Sequence, residues 1–483
     1  MIETTPQIFA MKTRAVVVAP AGCGKTHLIA EAVRAQEAGR QLILTHTHAG
    51  VRSLRDKLRL LGVPSRCYNV ETIAGFALKY AVSFPHTSGL TNFMPVAKEW
   101  KEVYEPARKI FSSSVGNHIL RSSYSGLYVD EYQDCTLIQH ELIKKLAEVL
   151  PCRIVGDPLQ GIFDFEDSPL VDWSKDVFSN FEILPELNKP WRWMRGDKKL
   201  GEWLLTVRTR LVNGETIDMQ TAPAAVRHSF LTVKNQTDAC YRCPKDGTVV
   251  AIHRMPQQAH YVAQKLGGKF DSMEEIEGKD LLSWSEQFEK STGSARAIAV
   301  IDFASKCMTQ VSIELSRIKT KLSLNETNIT AGLRKNIPIA QALTDVVNSR
   351  ELEMTLKAML LIEQIPGRVL YRRELWNDMK RAIKELETGT YASLREAAWK
   401  VRDRGRVLGR KPAHRTVSRT LLIKGLEFDH AIVLDADALG TKELYVAMTR
   451  GCKSLIVLSS SRNLQKQPLN ADLRTLLSGG RVS

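Results

Sequence analysis

Two α/β domains, each built on a parallel sheet and each interrupted by a helical insertion, are what this sequence predicts. Three observations carry the expectation. Short apolar, β-branched runs alternate with helical stretches through the first part of the chain, the pattern of a parallel sheet covered by helices. The same signature returns near the end, after a long stretch of helical composition. A chain of 483 residues is also too long for one compact core.

In order along the chain, Ala15–Val18, Gln41–Thr45, Gly126–Val129, Cys152–Val155 and Phe181–Leu184 read as buried strands. Helical patterns such as Thr26–Ala35 and His140–Leu150 lie between them, and a helical insertion at about 76–124 splits this first domain, residues 1–182. Strand signals recur at Thr248–His253, His430–Asp435 and Ser454–Leu458, which assigns 183–270 and 413–483 to a second domain. Residues 271–412 are expected to be a helical insertion. Glu351–Gln364 and Tyr371–Leu386 show apolar residues at three- and four-residue spacing.

Composition narrows the function classes. No uncharged apolar run reaches the roughly 18 residues of a membrane span, and the start lacks the apolar core of a signal peptide. The eight cysteines are scattered, and only Cys240 and Cys243 lie close together. A zinc site needs four ligands, so this pair reads as a reduced structural loop in a cytoplasmic protein. The formal net charge of +15 suits a polyanionic partner.

The first chemistry-bearing string is Ala19-Pro20-Ala21-Gly22-Cys23-Gly24-Lys25-Thr26, after a strand and opening a helix. This is P-loop spacing, with Ala in place of the first Gly. Small residues let the backbone N–H groups of Ala21, Gly22, Cys23 and Gly24 close around phosphates at a helix N-terminus. Lys25 is expected to neutralise β/γ-phosphate charge, and the Thr26 hydroxyl to ligate Mg²⁺. The cofactors expected are therefore ATP and Mg²⁺.

The second string is Leu127-Tyr128-Val129-Asp130-Glu131, an apolar strand ending in two carboxylates. In a chain with a P-loop, Asp130 is expected to hold the metal ion and Glu131 to orient and deprotonate the attacking water.

Extended to Asp130-Glu131-Tyr132-Gln133-Asp134, the string resembles motif II of the UvrD/Rep superfamily 1 helicases. The other motifs of that family follow in order. Thr45-His46-Thr47 resembles motif Ia, and Val155–Phe163, containing Gly156-Asp157-Pro158-Leu159-Gln160, resembles motif III. Pro190-Trp191-Arg192 resembles motif IV, Lys424-Gly425-Leu426-Glu427-Phe428 motif V, and Tyr445–Arg450 motif VI. The resemblance implies two RecA-like domains with P-loop NTPase architecture. It also implies that Gln7 reads the adenine, Trp191 stacks on the base and Glu427 holds the ribose. Gln160 would sense the γ-phosphate, and Arg192 and Arg450 would converge on it from the second domain. Arginines supplied in this way act on transition-state charge and tie hydrolysis to domain motion. Thr47, Thr72, Phe163 and Phe165 are expected to face a single strand.

The sequence departs from the family mostly on the strand-binding side. Motif III runs Phe163-Asp164-Phe165-Glu166, keeping aromatics for base stacking but losing the usual Arg. Leu421 stands where motif V has His, and His48 where motif Ia has Asn. A basic run, comprising Arg395, Lys400, Arg402, Arg404, Arg406, Arg410, Lys411 and Arg415, precedes motif V and could neutralise phosphates. The leading expectation is an ATP-dependent helicase or translocase on single-stranded DNA, moving 3′ to 5′ by resemblance. Its short insertions and altered motifs are similar to the helicase subunits of Gabija-like phage defence systems, which act with an OLD-type, TOPRIM-containing nuclease in trans. The alternative is a regulatory subunit that uses ATP to sense DNA ends and controls a nuclease with little unwinding. A small-molecule kinase would explain none of motifs III to VI.

Overall fold

A computed structural model describes residues 3–35, 39–91, 101–163, 169–275, 278–408 and 412–477. Phe165, Arg410, Lys411 and the side chain of Arg406 lie outside the described residues.

The first sheet contains β1 (Arg14–Val18), β2 (Gln41–Thr45), β3 (Tyr68–Thr72), β4 (Gly126–Val129), β5 (Cys152–Gly156) and β6 (Glu182–Leu184). Its order is β3-β2-β4-β5-β1-β6, with every pairing parallel. Side chains alternate across it, as a period of two requires. Val16, Val18, Leu42, Leu44, Leu127, Val129 and Ile154 enter one core, while Ala15, Val17, Ile43, Tyr128 and Val155 enter the other. Both faces are covered by helices, so these strands read in the sequence as unbroken apolar runs.

After a short strand β7 (Ile217–Asp218), the second sheet comprises β8 (Val226–Phe230), β9 (Val249–Ile252), β10 (Asp271–Ser272), β11 (Arg415–Ser418), β12 (Phe428–Val433) and β13 (Gly451–Ser459). Its order is β10-β11-β9-β12-β13-β8. A final short strand, β14 (Asn463–Leu464), pairs antiparallel with β7. Two six-stranded parallel sheets, each with helices, are the RecA-like architecture expected from the sequence.

By packing, the chain divides into two compact units, Met1–Phe230 with Lys424–Ser483, and Leu231–Ile423. The first holds β1 to β8 and β12 to β14. Helices Ile73–Ser83, Tyr104–Phe111 and Ser114–Ser123 interrupt its first sheet, where a helical insertion was expected. Phe76, Tyr80 and Phe111 pack ring on ring there. The second unit holds β9, β10 and β11 and a helical region from Lys279–Lys290 to Leu394–Leu408. That region has its own core, centred on Phe288, Phe303, Met359 and Trp376. Among the described residues, no helix is long and apolar enough to cross a membrane.

Candidate active site

The first sheet ends its strands where polar side chains gather. Pairing aligns Val18 of β1 with Gly156 of β5, and Val129 of β4 with Ile154 of β5. The segments that follow, Ala19–Thr26, Asp130–Asp134 and Asp157–Gln160, therefore emerge side by side at the carboxyl edge, where open parallel sheets bind ligands.

Two glycines shape the first segment. Gly22 and Gly24 adopt φ of +72° and +92°. A Cβ at Gly22 would lie 2.6 Å from the Trp193 ring, and one at Gly24 3.2 Å from Trp191. The loop thus needs glycine both for its backbone and for the close approach of residues 191–193. The Ala21 N–H donates to the Tyr445 hydroxyl at 3.0 Å, and the Lys25 ammonium donates to the Ala19 carbonyl at 3.1 Å. Cys23 is packed in the core, and burial pushes its thiol up to about 12.

Thr26 opens onto Asp130, its hydroxyl donating to the carboxylate at 3.0 Å. Burial first, and the Glu131 charge second, raise the Asp130 carboxyl to about 7. A hydroxyl and a buried carboxylate at this distance are hard oxygen donors of the kind Mg²⁺ takes, and the buried acid calls for a cation. The residues present fit that ion. Glu131 follows with φ +55°, a left-handed conformation rare outside glycine. Burial works against its charge, but Lys25 and then Lys424 hold its carboxyl below the usual range. The Gln133 amide donates to Glu131, while the Gln133 carbonyl accepts the Asp157 N–H at 2.9 Å. Asp157 in turn accepts from the Leu159 N–H and from the Gln160 amide at 3.2 and 3.0 Å.

The motif IV to VI residues lie in this same compact unit. Trp191 is 49% exposed, with the Lys189 ammonium 3.8 Å from its ring centre. The Glu3 carboxylate accepts the N–H groups of Asn188 and Lys189, tying the segment before Trp191 to the start of the chain. Gln7 is exposed on the short helix Pro6–Met11 that follows Glu3. Arg192 pairs with Glu427 at 2.8 Å and donates to the Thr449 carbonyl at 2.7 Å. Arg450 is buried, donating to the carbonyls of Val446 and Leu426 and to the Thr449 hydroxyl. Burial, then Arg192, press its pKa down to about 9, so it stays a cation at neutral pH.

The residues expected to face a strand are more dispersed. Thr47 and Thr72 follow or end the neighbouring strands β2 and β3, and each hydroxyl caps the next helix by accepting an N–H, from Gly50 and Gly75. Phe163 is half-buried, with the Lys424 ammonium 4.8 Å from its ring centre. Lys424 is itself ion-paired with Asp134, an acid that burial raises to about 7. Most of the described basic run is internally engaged. Arg395 pairs with Glu286, Arg402 with Glu374 and Asp378, and Arg404 with Glu385. Arg415 donates to the Cys243 sulfur and the Pro244 carbonyl, and Lys400 lies over the Trp399 ring.

Gln133, Asp157 and Lys424 stood inside motif strings without an assigned part, and Arg208 carried no local signal at all. Among the described residues the one cluster of potential metal ligands is His260, Glu274 and Asp280, and Arg372 already bridges its two carboxylates.

Residues 5–166 match the family model described as an AAA domain. No curated protein matches the chain. Among solved structures, Pif1 helicase from Candida albicans aligns over 99% of this chain and 99% of its own, with 11% identity and a TM-score of 0.42. Arterivirus nonstructural protein 10, a helicase, aligns over 94% of this chain with 11% identity and a TM-score of 0.35. The same protein in complex with DNA aligns over 52%, with 15% identity and a TM-score of 0.28. This chain covers 61% and 50% of those two arterivirus chains.

Proposed function

We propose that this chain hydrolyses ATP to move along single-stranded DNA, as a helicase or translocase of the UvrD-like superfamily 1 type. The observation that carries the reading is the gathering, in one compact unit, of Lys25, the Thr26–Asp130 pair, Glu131 and the buried Arg450. Thr26 and Asp130 hold Mg²⁺, which when bound neutralises phosphate charge. Lys25 and the loop N–H groups bind the phosphates, Glu131 takes the proton of the attacking water, and Arg192 and Arg450 act on the γ-phosphate. Trp191, Gln7 and Glu427 hold the nucleoside. Thr47, Thr72, Phe163 and Phe165 contact the strand, and movement is 3′ to 5′. By resemblance, the setting is cytoplasmic antiphage defence or DNA repair, with an OLD-type nuclease as partner.

One observation favours the second reading, a DNA-end sensor that controls a nuclease. The motif III ring of Phe163 lies under Lys424, which is already paired with Asp134. ATPase activity measured with and without single-stranded DNA, followed by strand separation on a 3′-tailed duplex, decides between them. Stimulated hydrolysis with separation supports the motor. Stimulation by DNA without separation or movement supports the sensor. Absence of hydrolysis under both conditions overturns the ATPase reading.

A further inference from the structure

Arg208 lies in the helix Lys198–Asn213, outside every string that the sequence singled out. It is buried, at 6% exposure. Its guanidinium spans two acids, Asp157 at 3.3 Å and Glu186 at 2.9 Å. Asp157 is completely buried and is the hub of the local hydrogen bonding. One oxygen faces Arg208 and caps the turn Pro158–Gln160 through the Leu159 N–H. The other accepts from the Gln160 amide, and the Asp157 N–H meets Gln133, whose amide holds Glu131.

A carboxylate with no exposed surface has lost its hydration and needs a cation and hydrogen-bond donors in its place. Among the described residues, Arg208 is the one cation within ion-pair distance of Asp157. We propose that Arg208 is a positioning residue: by fixing the charge and orientation of Asp157, it sets the Gln160 amide and, through Gln133, the Glu131 carboxylate in mutual register for hydrolysis. This deepens the ATPase reading and rests on it. The charge of Arg208 reaches Cys23 in the phosphate loop, but its ion pairs and hydrogen bond go to Asp157 and Glu186, so on this proposal its loss acts mainly on the chemical step rather than on ground-state binding.

The test is single-turnover ATP hydrolysis and equilibrium binding of a fluorescent ATP analogue, on the full chain with Mg²⁺ and single-stranded DNA. Arg208→Lys keeps a cation but lacks the planar fork that spans two acids. It is expected to bind nucleotide within about threefold of wild type while hydrolysis falls by about 10²-fold, the scale of a misplaced catalytic group. Arg208→Met is expected to fall further, and Asp157→Asn added to it should cost little more, because both changes cut one linkage. Glu186→Gln removes the other anchor of Arg208 and supplies the control. It should lower the melting temperature and leave hydrolysis at the wild-type rate. If Arg208→Met does not fold, Arg208→Lys and Glu186→Gln still decide the question. Wild-type turnover in Arg208→Lys, or an equal loss in Glu186→Gln, overturns the positioning role and assigns Arg208 to stability alone. No hydrolysis by the wild-type chain overturns the ATPase reading, and the positioning role with it.

Discussion

At the scale of single residues, the site is a balance of buried charges. Asp130 and Glu131 are adjacent acids, yet burial drives one up to about 7 while Lys25 and Lys424 hold the other below its usual range. In the proposed mechanism an ion ligand and a proton acceptor would thereby be differentiated by surroundings rather than by residue type. Glu131 also sits in a left-handed conformation, which removes its side chain from the alternation of β4. Glu131→Gln should keep nucleotide affinity and lower ATP turnover by about 10²–10⁴-fold, as loss of a general base does. Steady-state turnover close to wild type in that variant would remove Glu131 from the chemistry.

At the scale of elements, two titratable groups report on packing. His46, at the turn leaving β2, is half-buried beside Cys135, and loss of hydration, then Lys424, lower its pKa to about 3 from an ordinary 6.5. Between those values the unfolded chain binds a proton that the folded chain does not. Its stabilising contribution is therefore complete above about pH 6.5 and is lost as pH falls toward 3. Chemical denaturation from pH 7 to pH 4 should show a shallower loss of stability in His46→Asn than in wild type, by at most about 1.4 kcal/mol per pH unit. Identical slopes would mean that His46 is protonated or exposed in the folded state. The second report comes from helix Leu394–Leu408. Arg402, with a side chain only 10% exposed, joins Glu374 and Asp378 of helix Arg373–Glu387. Arg402→Ala removes the cation that these acids share, leaving Asp378 with Arg381 and Glu374 with the Glu274 N–H, and should destabilise the chain by about 3 kcal/mol. Single-strand affinity at low salt should be unchanged. A weaker complex with a reduced salt slope would instead make Arg402 a phosphate contact.

At the scale of the whole molecule, the chain leaves its first compact unit at Phe230 and returns to it at Lys424. Apolar cores lie between the helices of residues 279–408 and on the two faces of the first sheet. All the residues placed at the proposed nucleotide site belong to the first unit. Mg²⁺ with a slowly hydrolysed ATP analogue should therefore stabilise the chain against unfolding, by about 2.7 kcal/mol at a hundred times the Kd. An unfolding transition that Mg²⁺ and the analogue leave unmoved would remove the nucleotide from this unit.

What the sequence determined by itself was local and periodic. Apolar runs announced β1, β2, β4, β5, β9, β12 and β13, because strands covered on both faces exclude polar residues. The candidate phosphate loop and the Asp130-Glu131 string stood out for a related reason, since the chemistry proposed for them needs particular residues at fixed spacing. β3, β8 and β10 left no such trace, being edge or near-edge strands with mixed exposure, and β11 is four residues long with buried Thr416 and Ser418. Charge was the property that sequence could least assign. A run of arginines before motif V reads the same whether it meets phosphates or acids, and only tertiary packing set Glu286, Glu374, Asp378 and Glu385 against it. Arg208 is the same lesson inside the site. Its partners lie 51 and 22 positions away, so no spacing along the chain could reveal that Asp157 depends on it. Periodicity reports which face is dry; the pairing of buried charges is decided by which elements the fold brings together.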